Sequence, residues 1–147
     1  GLEAELVAAD ALAWTAPGPA DAILLDAPCS AAGTFPRHPE VLYRARPSVI
    51  AESAALQARL IDHAATLLKP GGTLVYSVCS LEPQEGEAVV AAFLDRNPAF
   101  RPEPPRTGEL PDGVTPSAEG WVRVLPGMLE SQGGLDGFFA ARLVAGP

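Results

Sequence analysis

Ala22-Ile23-Leu24-Leu25-Asp26-Ala27-Pro28-Cys29-Ser30 and, further along, Gly72-Thr73-Leu74-Val75-Tyr76-Ser77-Val78-Cys79-Ser80 are apolar runs that each break at a small, reactive segment. Ala22–Leu25 shows no polar alternation, the pattern of a strand buried on both faces. Thr73–Val78 is rich in β-branched and aromatic residues, which favour strands. A helical stretch long enough to cross a sheet lies between the runs, so they are expected to be parallel neighbouring strands joined by a right-handed crossover. Their carboxyl ends would then line the crevice where open α/β sheets bind ligands. Cys29 and Cys79 would face each other there across one strand spacing of about 5 Å.

Outward from these strands, the amino-terminal stretch 1–16 reads as a weak strand over Glu5–Ala9 ending at Asp10, with Ala11–Trp14 continuing into a turn and Ala16-Pro17-Gly18-Pro19 as punctuation. Ala31–Pro47 is a loop. Ser48 is placed to cap the following helix, whose apolar stripe is Leu56, Leu60, Ala64, Leu67 and Leu68, and Lys69-Pro70-Gly71-Gly72 is read as its stop. His63, inside that helix, reads as a surface or internally satisfied histidine, because nothing near it in sequence completes a dyad. Pro83 is expected to open a second helix with Val89, Val90, Phe93 and Leu94 on its buried face and Asn97-Pro98 at its end. Beyond it, 99–120 is a proline- and glycine-rich loop with a short strand near Phe100–Glu103. Trp121–Leu125 alternates like an edge strand, Gly127–Gly134 is loop, and Phe138–Val144 is a final strand. Strand, strand, helix, strand, helix and a β-rich end make an α/β sheet.

At 147 residues and 48% hydrophobic composition the chain is one domain or part of one, with enough apolar side chains for a core. No apolar run approaches the roughly 20 residues of a membrane span, and no secretory signal is visible, so no membrane partner is expected. Two cysteines at presumed strand ends favour free thiols in a reducing compartment, and a cytoplasmic location follows as an expectation. A net charge of −8 argues against a chain that grips nucleic acid unaided. Arg37, His38, Arg44 and Arg46 cluster in the loop beside the presumed crevice. They are a candidate phosphate-contacting patch, and an ordinary solvated loop accounts for them equally well.

Two cysteines at adjacent strand ends admit several chemistries. A thiolate can attack an electron-poor carbon while a second thiol or a carboxylate moves a proton. A redox pair is an alternative, although the spacing is not Cys-x-x-Cys. A metal pair would need further ligands, and His38 and His63 are poorly spaced to supply them, so no metal site is expected.

Five ordered blocks sharpen this reading: Asp26-Ala27-Pro28-Cys29-Ser30-Ala31-Ala32-Gly33-Thr34, Arg37-His38-Pro39-Glu40, Leu68 through Ser80, Glu85-Gly86-Glu87 and Asp136-Gly137-Phe138-Phe139-Ala140. Together they resemble the Sun/nucleolar-protein family of RNA cytosine-C5 methyltransferases, whose bacterial branch includes a 16S ribosomal RNA enzyme. The resemblance implies a Rossmann-like class I S-adenosylmethionine-dependent methyltransferase fold, here incomplete, with a mostly parallel sheet and an antiparallel carboxyl-terminal strand. It implies that Cys79 is the nucleophile that adds to carbon 6 of cytosine, and that Cys29 assists elimination and release of the methylated RNA. Asp26 would hold the polar edge of the cytosine near the transferred methyl group, and Asp10 would contact the cofactor's adenine. Pro28, Arg37 and His38 are the residues expected against the RNA substrate, taken as ribosomal RNA.

The family's first strand, glycine-rich cofactor loop and basic RNA-binding domain have no counterpart in 1–147, which is therefore expected to be the carboxyl-terminal portion of one catalytic domain. On that expectation it is inactive alone, binds S-adenosylmethionine weakly or not at all, and exposes Ala22–Leu25 as a sheet edge. Pairing in a homodimer, or the segment Glu5–Ala9, would cover that edge. The expected core is four-stranded: Ala22–Leu25, Thr73–Val78, Phe138–Val144 and a short outer strand near Phe100. A cofactor-independent RNA- or protein-binding module and a thiol redox protein are the alternatives from other classes.

Overall fold

A computed structural model describes residues 3–147; Gly1 and Leu2, within the stretch 1–16 discussed above, lie outside the described residues. The chain runs β1 (Ala20–Asp26), α1 (Val41–Arg44), α2 (Pro47–Thr66), β2 (Leu68–Val78), α3 (Glu87–Arg96), β3 (Phe100–Pro102), β4 (Val122–Val124) and β5 (Phe138–Ala145), with short 3-10 turns at Ala32–Thr34 and Glu130–Gln132. The strands form one mixed sheet in the order β1-β2-β5-β3, with β4 also pairing β5. The four expected strands are all present and β4 joins them as a fifth, in an α/β Rossmann-like fold.

Four of the five strands point the same way and β5, the carboxyl-terminal strand, alone is reversed, as expected of a mostly parallel sheet with one antiparallel strand. Only β1 and β2 pair in parallel, while β5 runs antiparallel to β2, β3 and β4. Because β5 takes three partners, that one reversed strand makes most of the individual pairings antiparallel.

Alternation along the two central strands explains the core. Leu74, Tyr76 and Val78 of β2 and Phe139, Ala141 and Leu143 of β5 are buried on one face. There they meet Ile61 and Ala64 of α2 and Val89, Val90 and Phe93 of α3. Each of the leucine, isoleucine, valine and phenylalanine side chains among them contributes about 1.5–3 kcal/mol on burial. The opposite face is spanned by the long loop after β3. Arg142 of β5 pins that loop, with Nε 3.2 Å from Glu103, Nη1 3.0 Å from Glu109, and Nη2 donating to the Pro104 carbonyl at 2.7 Å.

Several local expectations are corrected. Helix α2 begins on Pro47 with Arg46 as its N-cap and no side-chain cap from Ser48. Proline at the first helical position has its φ already set and no N–H to lose. The helix ends at Thr66, so Leu67 and Leu68 fall outside it, and Lys69–Gly72 belong to β2 rather than to a helix stop. Helix α3 starts at Glu87, not Pro83, because Pro83–Gly86 forms a turn in which Glu85 N–H donates to the Glu82 carbonyl at 3.0 Å. The loop Ala31–Pro47 contains the short helix α1.

Strand β1 is buried on one face only: Ile23 and Leu25 pack on the core, while Leu24 is 72% exposed. Glu5–Ala9 forms no strand. With no neighbour to ladder against it runs beside β1 and α2, and Glu5, Val7, Ala9 and Trp14 face Leu24, Leu60 and His63 across a hollow of about 400 Å³. His63 Nε2 lies 2.9 Å from the Trp14 carbonyl, the internally satisfied histidine that was expected. No helix among the described residues is long and apolar enough to cross a membrane.

Candidate active site

Parallel pairing of β1 and β2 runs in register to Asp26 opposite Ser77, and Ala27 N–H donates to the Ser77 carbonyl at 3.0 Å. Both chains then leave the sheet together, which brings Cys29 and Cys79 to the same edge with their sulfurs 3.5 Å apart. Both are free thiols and partly exposed. The contact is far longer than a disulfide bond of about 2.05 Å, so the thiols are neighbours without being bonded.

Further segments close around this pair. After Ser30 the chain turns at Ala31, whose φ of 58° is left-handed, into the 3-10 turn Ala32–Thr34. Gly33 N–H donates to the Cys79 carbonyl at 3.1 Å, and Gly137 N–H donates to the Gly33 carbonyl at 2.7 Å. A Cβ on Gly33 would lie 2.0 Å from the Gly137 oxygen, so the approach requires glycine. Below the thiols, Glu85 is fully buried. Its Oε1 accepts from Ser30 N–H at 2.8 Å, and its Oε2 accepts from the Ser30 and Ser80 hydroxyls, each at 2.5 Å. Gln57, also fully buried, reaches from α2 to donate to the Pro28 carbonyl at 2.8 Å. The Tyr76 hydroxyl, its pKa raised by burial, donates to the Glu85 carbonyl at 2.5 Å.

Burial pushes the Cys29 thiol from its ordinary 9.0 up to about 12; a backbone hydrogen bond at Ala31 opposes the rise, and neighbouring Cys79 and Glu85 add to it. Cys29 is therefore held as a neutral thiol at physiological pH. The folded chain keeps this proton where the unfolded chain has lost it. The stabilisation is thus complete below pH 9.0 and declines as pH rises toward 12. Denaturant midpoints taken across that window should fall more steeply for the parent chain than for Cys29→Ser. Coincident slopes would refute the burial argument. An alkylating reagent between pH 7 and 9 should likewise label Cys79 before Cys29, which peptide mass mapping would read directly.

The sequence-derived candidates are only partly gathered. Asp26 sits at the same edge, exposed, with Oδ1 3.3 Å from the Ser77 hydroxyl. Pro28 is exposed between Asp26 and Cys29. Asp10 is exposed as well and accepts from Leu12 N–H at 2.9 Å, opening a turn whose neighbours Ala9 and Ala11 line the hollow beside β1. Arg37 is engaged by Asp136, with Nε 3.0 Å from Oδ1, and the pairing raises the arginine pKa and holds the Asp136 carboxyl below its usual range. His38 Nδ1 lies 3.3 Å from Glu40. The patch expected around Arg37 and His38 is thus largely compensated by acids of this chain, while Arg44 and Arg46 remain exposed. No group of three or more His, Cys, Asp or Glu side chains among the described residues could hold a metal ion. Glu85, Gln57 and the two serines were missed as site residues. The one sequence signal was the acid pair Glu85-Gly86-Glu87 six residues after Cys79, and a surface turn would show the same residues.

A mixed α/β sheet that sets two free thiols and a carboxylate at the carboxyl ends of adjacent parallel strands defines a Rossmann-like fold with a thiol centre at the strand ends. The chain belongs to the 16S rRNA methyltransferase RsmB/F family, which matches residues 3–144. It is 48% identical over 127 residues to ribosomal RNA small subunit methyltransferase B of Thermus thermophilus, an alignment covering 86% of this chain and 30% of that protein. The counterpart from Salmonella arizonae is 45% identical, covering 84% of this chain and 26% of that protein. Among solved structures, NSun6 from Pyrococcus horikoshii with SFG superposes with a TM-score of 0.77 at 30% identity, covering 96% of this chain and 34% of the other. A methyltransferase homolog protein from Pyrococcus horikoshii gives 0.65 at 34% identity, covering 87% and 40%. The chain thus spans under a third of the length of these two curated relatives.

Proposed function

We propose that this chain carries the thiol centre of an S-adenosylmethionine-dependent RNA cytosine-C5 methyltransferase acting on ribosomal RNA. The observation that carries the proposal is the 3.5 Å sulfur–sulfur contact at the strand edge that also bears Asp26. Membership of a 16S rRNA methyltransferase family supports the substrate class, and the likeness to an NSun6 structure with SFG, an S-adenosylmethionine analogue, supports the cofactor.

In this reading Cys79 forms a bond from sulfur to carbon 6 of the cytosine, which shifts an electron pair toward carbon 5. Bound S-adenosylmethionine supplies the electrophilic methyl group for that carbon. Loss of the carbon-5 proton to solvent water then expels the Cys79 sulfur as a thiolate and restores the aromatic ring. Cys29, kept neutral by burial, does not compete for carbon 6, and it stands where it can take part in the release step. Asp26 presents its exposed carboxylate to the ring's polar edge. The same carboxylate, with that of Asp10 beside the hollow flanking β1, offers negative charge and hydrogen-bond acceptors, which fits part of a cationic, adenosine-bearing cofactor.

Cys29→Ser in the full-length protein tests the assignment. A protein–RNA adduct that survives denaturing electrophoresis should accumulate, and it should vanish in the Cys29→Ser, Cys79→Ser double variant. Persistence of the adduct without Cys79 overturns the role given to that residue. A homodimer paired through the outer edge of β1 belongs to the same proposal, since it would cover the exposed Leu24. Sedimentation showing a monomer at every concentration would eliminate it.

A further inference from the structure

We propose that Glu85 is the positioning residue of the thiol pair: its one buried carboxylate grips the residue following each cysteine and thereby sets the separation of the two sulfurs. Ser30 directly follows Cys29, and Ser80 directly follows Cys79. Both hydroxyls end on the same oxygen of Glu85 at 2.5 Å, and they lie 3.3 Å from each other. The other oxygen takes Ser30 N–H at 2.8 Å and lies 3.4 Å from the Gln57 amide. Two serines 50 residues apart in the chain are thus joined through a single side chain.

The clamp is itself anchored. Tyr76, in the central strand, holds the Glu85 carbonyl, and Arg123 donates to the Ser80 carbonyl at 2.5 Å while pairing with Glu87. Gly86, next in the chain, is pressed against Phe139 and Arg123, where a Cβ would lie 2.9 Å from the ring and 2.8 Å from the guanidinium.

A fully buried carboxylate is costly to desolvate, and an apolar side chain would fill the same space without that cost. What an apolar side chain could not do is accept from both serines at once and tie two backbone turns into one geometry. Glu85 does not touch a substrate: it is fully buried and its oxygens are occupied by protein donors. It acts through the cysteines. The inference deepens the methyltransferase reading and rests on it for its purpose, because two thiols serving neighbouring ring carbons must keep a fixed separation. Its geometric content stands apart from that reading.

The test uses the dithiol–disulfide equilibrium of Cys29 and Cys79 in glutathione buffers, with the chain as it is. Closing the bond removes one proton and one electron from each thiol, and oxidised glutathione takes the two protons and two electrons to become two reduced molecules. The sulfurs need to approach by about 1.5 Å, so the effective concentration of one thiol at the other reports their placement. Glu85→Ala should lower it at least tenfold, about 30 mV in potential, with the fold confirmed by circular dichroism. Glu85→Gln, which keeps an acceptor for Ser30 N–H, should fall between the two. A folded Glu85→Ala with the parent potential, or Glu85→Gln no better than Glu85→Ala, overturns the proposal. If Glu85→Ala does not fold, Ser30→Ala with Ser80→Ala carries the same test, and an unchanged potential there also overturns it. The measurement needs neither RNA nor methyl donor. Failure of methyl transfer with the expected potentials would count against the functional reading alone.

Discussion

Gly33→Ala is expected to be the most damaging single-methyl substitution in the described chain. The added Cβ would stand 2.0 Å from the Gly137 oxygen, 2.6 Å from the Gly137 carbonyl carbon and 3.0 Å from the Cys79 oxygen. All three are backbone atoms, so no side chain can swing aside. Relief requires the Cys79 segment, the Gly33 turn or the start of β5 to move, which breaks the bonds from Gly33 N–H to Cys79 and from Gly137 N–H to Gly33. Overpacking of this kind costs upward of about 3 kcal/mol, against a total stability of roughly 5–15 kcal/mol for a domain. Gly137→Ala provides the contrast: its closest clash, at 2.4 Å, is with the end of the Leu81 side chain, which can rotate, though Gly33 Cα follows at 3.0 Å. Urea denaturation should rank Gly33→Ala well below Gly137→Ala, with both below the parent. A Gly33→Ala midpoint within error of the parent would refute the close-packed account of the site.

Cys79→Ser in the full-length protein should reduce methyl transfer by roughly four orders of magnitude or more, the scale on which loss of a covalent nucleophile acts. A serine hydroxyl does not ionise near neutral pH, and the site holds no histidine to activate it: His38 lies against Glu40, and His63 against the Trp14 carbonyl. Cys29 cannot substitute, because burial holds it as a neutral thiol. The fold should be untouched, since Cys79 is partly exposed and loses only a sulfur contact. Radiolabelled methyl transfer to RNA would measure the effect. Residual activity within tenfold of the parent would mean that the bond to the base is made by another group.

The strands that place the thiols were legible in sequence because short-range physics decides them. Apolar, β-branched runs at Ala22–Leu25, Thr73–Val78 and Phe138–Val144 cannot be satisfied except inside a sheet, and the intervening helix requires the first two to be parallel. Errors fell where two local signals competed or where a partner was needed. Ser48 and Pro47 both mark a helix start, and the preset backbone of Pro47 won. Glu5–Ala9 carries only a weak strand signal, its apolar run Leu6–Ala9, and a strand without a neighbour has no ladder to join. The clamp at Glu85 was illegible for another reason. Its meaning lies in donors 55 and 5 residues away, and neither spacing is a motif. Arg37 was read as free for a polyanion because its acid, Asp136, lies 99 residues further along the chain.

The three-way pairing of β5 bears on how the protein is made. A ribosome releases β1 and β2 first, and these two can pair in parallel as soon as α2 has emerged between them. Strands β3 and β4 follow, but both find their place only against β5, the last of the five to be synthesised. At about 5–20 residues per second, several seconds separate the exit of β2 from that of Phe138–Ala145. During that interval Leu74, Tyr76 and Val78 have only one side of their sheet, and the Gly33 turn has no Gly137 to close upon. The nascent chain therefore carries both thiols, incompletely assembled, through the interval when aggregation or mispairing is most damaging. A chaperone that binds apolar strands should act on this protein before β5 arrives and release it afterwards.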